Sequence, residues 1–385
     1  MPWKEICPMD ERMSFLVQVN ESDDSIAALC RRFGISRKTG YKWIERYEKD
    51  GPSGLEDRRP LAQSHPDRVP DALVDMLVAT RKEHPFWGPK KILAWLEERQ
   101  PEHDWPSPST ISDKLKAHGL IRPRRRRIRA PMSLDPLAVA DQPNATWCTD
   151  FKGHFALGDR TRCYPLTLTD QHTRYLLKCE AMTEPRFEPV QRQFELAFRE
   201  YGMPVRIRSD NGPPFASLAV GGLSSLSVWW IQLGIVPERI EPGKPQQNGR
   251  HERMHRTLKQ ETANPPCASM LEQQRRFDAF RHTFNDERPH EALGQKTPAS
   301  RYDSSRRAFP DKLRSPVYPE TMAIRRIDAS GRLSFFGTHP LGRLLAKQPV
   351  GLLPVDEDTW EVFYGPVLLA SLLVRNKKAR LERAQ

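Results

Sequence analysis

Two short stretches constrain this chain more than any other part of it. Pro204-Val205-Arg206-Ile207-Arg208 reads as a buried strand running into Ser209-Asp210-Asn211-Gly212, a tight Asn-Gly turn. Such a strand delivers Asp210 to its carboxyl end, where open α/β sheets place reactive groups. Pro245-Gln246-Gln247-Asn248-Gly249 reads as a loop that breaks into a helix, with Glu252 in the helix's first turn. Upstream, Thr146-Trp147-Cys148-Thr149-Asp150-Phe151 sets a third carboxylate on an apolar strand. Three carboxylates on separate elements, two at strand ends and one on a helix, form a natural site for a divalent metal. The pattern by itself supports only a mixed α/β domain.

The flanks add partners rather than chemistry. A length of 385 residues leaves room for two to four domains, and a net charge of +12 points to a polyanion, although a solvated basic surface accounts for charge alone. No stretch approaches the roughly 20 apolar residues of a membrane span, and the start lacks the apolar core of a signal peptide. The expectation is a cytoplasmic, nucleoid-associated protein with no membrane partner. Six scattered cysteines without a C-x-x-C pair predict neither a disulfide framework nor structural zinc.

Two helical modules precede the carboxylates. Ile26, Leu29, Cys30 and Phe33 share one helix face; Gly34 ends that helix and Ser36 caps the next, which carries Arg37, Lys38 and Lys42 outward. The order of helix, glycine turn and basic helix predicts a helix-turn-helix over 1–55, its second helix entering a major groove. A second such module is expected over 65–122, with Ser107 as N-cap and Pro108 at the first helical position. Between it and the carboxylates lies Arg124-Arg125-Arg126-Arg127, within a basic linker over 123–142 expected to track phosphates. Around Glu252 the spacing puts His255, Arg256 and Lys259 on its own face and Met254 and Leu258 on the opposite one. Beyond 318, five short strands suggest a small barrel.

Taken together, Trp147-x-x-Asp150, Ser209-Asp210-Asn211-Gly212 and Asn248-Gly249-x-x-Glu252 resemble the catalytic core of DDE-type transposases and retroviral integrases. The match is closest to bacterial insertion-sequence transposases and extends over most of the chain. It implies an α/β ribonuclease-H-like (integrase) core over 143–302 and a C-terminal SH3-like β-barrel over 318–375. It further implies two Mg2+ ions, replaceable by Mn2+, with Asp150 bridging them, Asp210 completing one site and Glu252 the other. Asn211, Gly212, Lys244, Gln246, Asn248 and Arg250 would line the site toward DNA, and the stretch over 241–249 would be a loop that orders when DNA binds. The DNA would be the element's terminal inverted repeats and the target, held by a homodimer or a larger synaptic assembly.

The chain departs from the integrases in lacking their amino-terminal His/His/Cys/Cys zinc module. It departs again in the 41 residues between Asp210 and Glu252, an excess that falls in Ala219-Val220-Gly221-Gly222-Leu223. Glu238 and Glu241 lie nearer to Asp210, but neither opens a helix after Asn-Gly. A domesticated DNA-binding regulator and a metal-dependent nuclease on the same fold remain as alternatives.

Overall fold

The computed structural model describes residues 8–57, 69–121, 137, 140–241, 245–375 and 378–383. The chain forms two compact units, Met1–Val69 and Pro70–Gln385.

The first unit holds α1 (Pro8–Glu21), α2 (Ile26–Arg32) and α3 (Arg37–Asp50) around Phe15, Leu16, Leu29, Cys30, Trp43 and Leu55. Ser25 and Ser36 cap α2 and α3 by accepting from the N–H of Ala28 and Thr39, which satisfies donors that a helix start leaves open. Gly34, at φ +65°, makes the left-handed turn between them. Arg37, Lys38 and Lys42 are exposed on α3.

The second unit opens with α4 (Asp71–Glu83), α5 (Pro89–Arg99) and α6 (Pro108–Ala117). They close over Leu77, Trp87, Ile92, Leu96, Ile111 and Leu115. Ser107 caps α6 through the Thr110 N–H, with Pro108 at the first helical position.

An α/β domain follows, in the order β1 (Thr146–Phe151), β2 (Phe155–Ala156), β3 (Arg162–Asp170), β4 (Leu176–Met182), α7 (Phe187–Tyr201), β5 (Arg206–Ser209), α8 (Ser225–Gln232), β6 (Val236–Arg239), α9 (Gly249–Thr262) and α10 (Met270–His282). β4, β3 and β1 are antiparallel neighbours; β1, β5 and β6 then run parallel, and β2 pairs with the start of β3. The apolar stripe of α7 (Val190, Phe194, Ala197, Phe198) packs with α8 residues Leu226, Trp229 and Trp230 on one face of the sheet. Met254 and Leu258 of α9 and Phe277 and Phe280 of α10 cover the other. The sheet is therefore buried on both faces, and only its strand ends are open for chemistry.

The C-terminal region is all β: β7 (Ala323–Arg326), β8 (Arg332–Ser334), β9 (Thr338–Pro340), β10 (Pro349–Pro354), β11 (Thr359–Tyr364), β12 (Val367–Arg375) and β13 (Lys378–Arg383). The main sheet runs β13-β12-β11-β10-β7, all antiparallel, with β8-β9 as a separate hairpin. Among the described residues its edges, β13 and β7, do not pair with one another. The region is thus an open antiparallel sheet, and closure into the expected barrel is not part of its pairing. Arg375, ending β12, pairs with Lys378, which opens β13. Val220, Leu223, Val228 and Ile231, from the loop before α8 and from α8 itself, join the core of this sheet beside Leu352, Val362 and Leu369.

Candidate metal-dependent active site

β1 and β5 bring two of the three carboxylates together. Their parallel register pairs Thr146 with Arg206, Trp147 with Ile207 and Cys148 with Arg208. Continued by two residues, it sets Asp150 level with Asp210, both at carboxyl ends and both half-buried. Trp147 anchors β1 from below, fully buried, its indole N–H donating to Asn144 Oδ1 at 2.9 Å. On the other strand the Gly212 N–H donates to Asp210 Oδ1 at 3.1 Å, and a β-carbon at Gly212 would sit 3.1 Å from Oδ2. A larger residue there would have to push the Asp210 carboxylate aside by a few tenths of an ångström.

Glu252 is exposed in the first turn of α9. Burial, then the negative charge of Asp210, with Glu252 adding to it, push Asp150 from its ordinary 3.8 up to about 7. The Phe151 N–H and Lys152 oppose that rise. Burial likewise raises Asp210, against the Gly212 N–H. Burial, with the charges of Asp210 and Glu252 added to it, makes an ionised Asp150 unfavourable unless a divalent cation joins the set, and an all-oxygen donor set is the kind magnesium prefers.

A consequence can be measured without DNA. Between about pH 4 and pH 7 the folded chain keeps on Asp150 a proton that the unfolded chain has released, so this group's contribution to stability falls as pH rises through that window. In chelator, the melting temperature of the native protein is expected to drop more steeply from pH 5 to pH 8 than that of Asp150→Asn. Magnesium at pH 8 is expected to restore it, since metal binding takes the deprotonated form. Parallel pH profiles for the two proteins would count against this electrostatic picture.

Behind Asp150 lies a network that the sequence reading missed. α9 turns His251, Met254, His255 and Leu258 inward, at positions i, i+3, i+4 and i+7. β3 meets the two imidazoles with Thr167 and Thr169, alternate residues on one face. Thr167 Oγ1 lies 2.8 Å from His251 Nε2 and 2.6 Å from His255 Nε2, while Thr169 Oγ1 lies 2.8 Å from His251 Nδ1. His255 Nδ1 faces Asp150 Oδ2 at 3.5 Å.

With Asp150 ionised, one assignment uses each proton once. Thr169 donates to His251, His251 to Thr167, Thr167 to His255, and His255 presents its Nδ1–H to Asp150. Burial holds His251 down at about 3 and His255 well below its usual value, so both rings are neutral. Ligand atoms of Asp150, His251 and His255 lie within 4.8 Å of one another. Both His251 nitrogens are nevertheless engaged by threonine hydroxyls, which suits the histidines to orienting Asp150 rather than to binding metal themselves. The signal available in sequence was Thr167-x-Thr169 opposite His251-x3-His255.

The remaining expected contacts separate. Arg250, Arg256 and Lys259 are exposed around Glu252. His255, expected on that face, is 1% exposed and committed to Thr167, because the inward stripe of α9 is one residue wider than Met254 and Leu258 indicate. Asn248 is also buried, at the N-cap of α9, where its side chain makes no capping bond. Asn211 is exposed, its amide donating to the Ile240 carbonyl at 2.7 Å. Arg124, Arg125, Arg126, Arg127 and Lys244, and the side chain of Gln246, lie outside the described residues. Glu238 and Glu241 are occupied elsewhere: Glu238 accepts from Arg208 at 2.5 Å, and Glu241 from the Gln247 amide at 2.7 Å.

Models of the integrase core domain match residues 140–245 and 233–298. A helix-turn-helix domain model matches 11–61, and a homeodomain-like domain model matches 39–115. The chain is 29% identical over 249 residues to the insertion element IS407 uncharacterized 31.7 kDa protein of Burkholderia multivorans, spanning 64% of this chain and 86% of that one. It is 31% identical over 240 residues to the insertion element IS476 uncharacterized 39.2 kDa protein of Xanthomonas euvesicatoria, spanning 62% of this chain and 61% of that one.

Among solved structures, the magnesium complex of the HTLV-2 integrase catalytic core domain aligns with 42% of this chain and 98% of its own, at 16% identity and a TM-score of 0.34. A simian T-cell lymphotropic virus intasome bound to the PP2A regulatory subunit B56 gamma aligns with 79% and 100%, at 17% identity and a TM-score of 0.38. Residues 140–298 thus match models of the integrase core domain. The chain is similar to proteins of bacterial insertion elements, with an integrase core domain behind a helix-turn-helix domain.

Proposed function

We propose that this chain is the transposase of a bacterial insertion sequence, binding the element's terminal inverted repeats and catalysing strand cleavage and strand transfer into target DNA. One observation carries the reading: Asp150 and Asp210 end neighbouring parallel strands, and the charges of Asp210 and Glu252 both act on the half-buried Asp150. Asp150, Asp210 and Glu252 would hold two magnesium ions, which supply charge compensation at the attacking and leaving oxygens of a phosphodiester. The His251–Thr167–His255 network fixes the Asp150 carboxylate, and the Gly212 N–H fixes that of Asp210. Arg250, Arg256 and Lys259 hold phosphates beside them.

In the first step a water oxygen attacks phosphorus and the bond to the 3′ oxygen breaks, leaving a 3′-hydroxyl on the element. That hydroxyl then attacks a target phosphodiester and displaces its 3′ oxygen. Helix-turn-helix modules at 1–55 and 65–122 would read the repeats, and the linker at 123–142 would follow phosphates. The core at 143–302 would do the chemistry. The terminal sheet at 318–375, read as SH3-like, would serve DNA or assembly. Two ends must be joined, so a dimer or larger complex is the working unit.

The test incubates the purified protein with labelled DNA carrying the repeats that flank its gene, in magnesium, in manganese and in chelator. Metal-dependent cleavage with joined products is the expected result, lost in Glu252→Gln. Cleavage without joining would make the protein a nuclease. Specific binding without chemistry would make it a regulator.

A further inference from the structure

The surface beside α9 holds more positive charge than the carboxylates account for. A cavity of about 760 Å³ opens between the start of α9, the β3–β4 turn, the start of α5 and the loop after α10. Six cationic side chains line it: Lys91, Arg174, Arg250, Arg253, Arg256 and Arg288. The acids among its walls are already engaged. Asp170 accepts from the N–H groups of Asn144 and Thr173 and from the Thr173 hydroxyl, and Glu291 pairs with Lys90 at 3.0 Å. Of the cations, Arg288 is bound by Glu261 at 2.6 Å, and Lys91 donates to the Pro289 carbonyl.

Arg174 is the unusual member. It stands in the β3–β4 turn at φ +67°, half-buried. Its guanidinium meets no hydrogen-bond acceptor and no carboxylate among the described residues. Burial and the neighbouring charges of Arg250 and Arg253 draw its pKa down to about 10. Partly desolvating a guanidinium without a partner, beside two like charges, is unfavourable unless an anion completes the group. One phosphate does not neutralise cations spread over four elements, whereas a run of phosphodiesters, each with one charge, does. Phe86, 45% exposed on the cavity wall, offers a face on which a base can stack, which a free phosphate would not use.

We propose that this basin is a DNA-backbone site, in which Arg174 and Arg253 grip successive phosphates of the strand that leads to the carboxylates. The proposal rests on the transposase reading and adds to it a contact surface built jointly by the second helical module and the core.

The test measures binding of the full-length protein to a duplex ending in the flanking repeat, in chelator, from about 50 to 300 mM salt. Arg174→Gln and Arg253→Gln are each expected to weaken binding about tenfold and to lower the slope of log affinity against log salt by about 1. Arg174→Lys is expected to keep the slope. Arg174 makes no hydrogen bond or ion pair among the described residues, so its variants should melt no lower than the native protein, and exposed Arg253 supplies an independent second variant. Native binding with unchanged affinity and slope in both glutamine variants would overturn the basin and leave the transposase reading standing. Weaker pyrophosphate binding in Arg174→Gln with DNA binding untouched would make it a small-anion site and also overturn the proposal. Native protein that binds no repeat DNA would remove both readings.

Discussion

Asp150→Asn is expected to lower strand cleavage by at least about a thousandfold while leaving affinity for repeat DNA in chelator within a factor of about two. The magnitude follows from the charge removed. Metal-held stabilisation of a developing phosphoryl charge is worth several kcal/mol, and about 4 kcal/mol is a thousandfold in rate. Asparagine keeps the shape of the side chain and can still accept from His255, so the loss would be one of charge rather than packing. It also removes the cost of burying a charge at Asp150 and, with it, the repulsion from Asp210, so the variant should be more stable than the native protein above about pH 7 when metal is absent. An inactive variant that is also the more stable one is the signature of a functional site holding unfavourable charge. Cleavage retained within tenfold would place the chemistry elsewhere.

Glu238→Ala is expected to destabilise the fold by about 3 kcal/mol or more, read as a shift in the urea midpoint at unchanged slope. Glu238 lies on β6 opposite Arg208 on β5, in register. Arg208 is 2% exposed and donates through Nε to Glu238 at 2.5 Å, with Arg206 Nη1 at 3.9 Å. Removing the carboxylate withdraws charge compensation from a guanidinium that has been taken out of water, and this costs far more than a surface pair would. Glu238→Gln keeps an acceptor and should lose less. Because the pair sits directly below Asp210, both variants should also lower activity in proportion to the unfolded fraction. Full stability in Glu238→Ala would show that Arg208 is compensated by other means.

These two acids illustrate what the sequence could and could not disclose. Asp150 and Asp210 were legible because strand ends, an Asn-Gly turn and flanking apolar residues are local signals. The rejection of Glu238 followed from the same local grammar, and the structure supplies its other occupation. Helix starts at Ser36 and Ser107 were legible for a similar reason, since a cap is decided by a few adjacent residues.

What escaped was cooperation across elements. His255 sits three residues after Glu252 and four after His251, so helical spacing alone allowed it to face either DNA or the core. Thr167 and Thr169, more than 80 residues away in sequence, decide the matter. Arg174 has the look of an ordinary turn residue until β3 and β4 carry it to the wall of a basin shared with α5 and α9. Strand β13 was hidden because its inward residues, Ala379 and Leu381, gain meaning only against β12.

The extra residues between Asp210 and Glu252 acquire a purpose in the fold. Val220 and Leu223, in that surplus segment, are buried in the core of the C-terminal sheet rather than left in solvent. Gly221 has so little room that a β-carbon there would come within 2.9 Å of Leu369. The surplus is thus a mooring post for the terminal domain, and its length is dictated by a neighbour rather than by catalysis. In related chains the spacer and the terminal sheet should be gained or lost together. Counting residues between two acids then becomes a way of telling, from sequence alone, whether a third domain is lashed to the core.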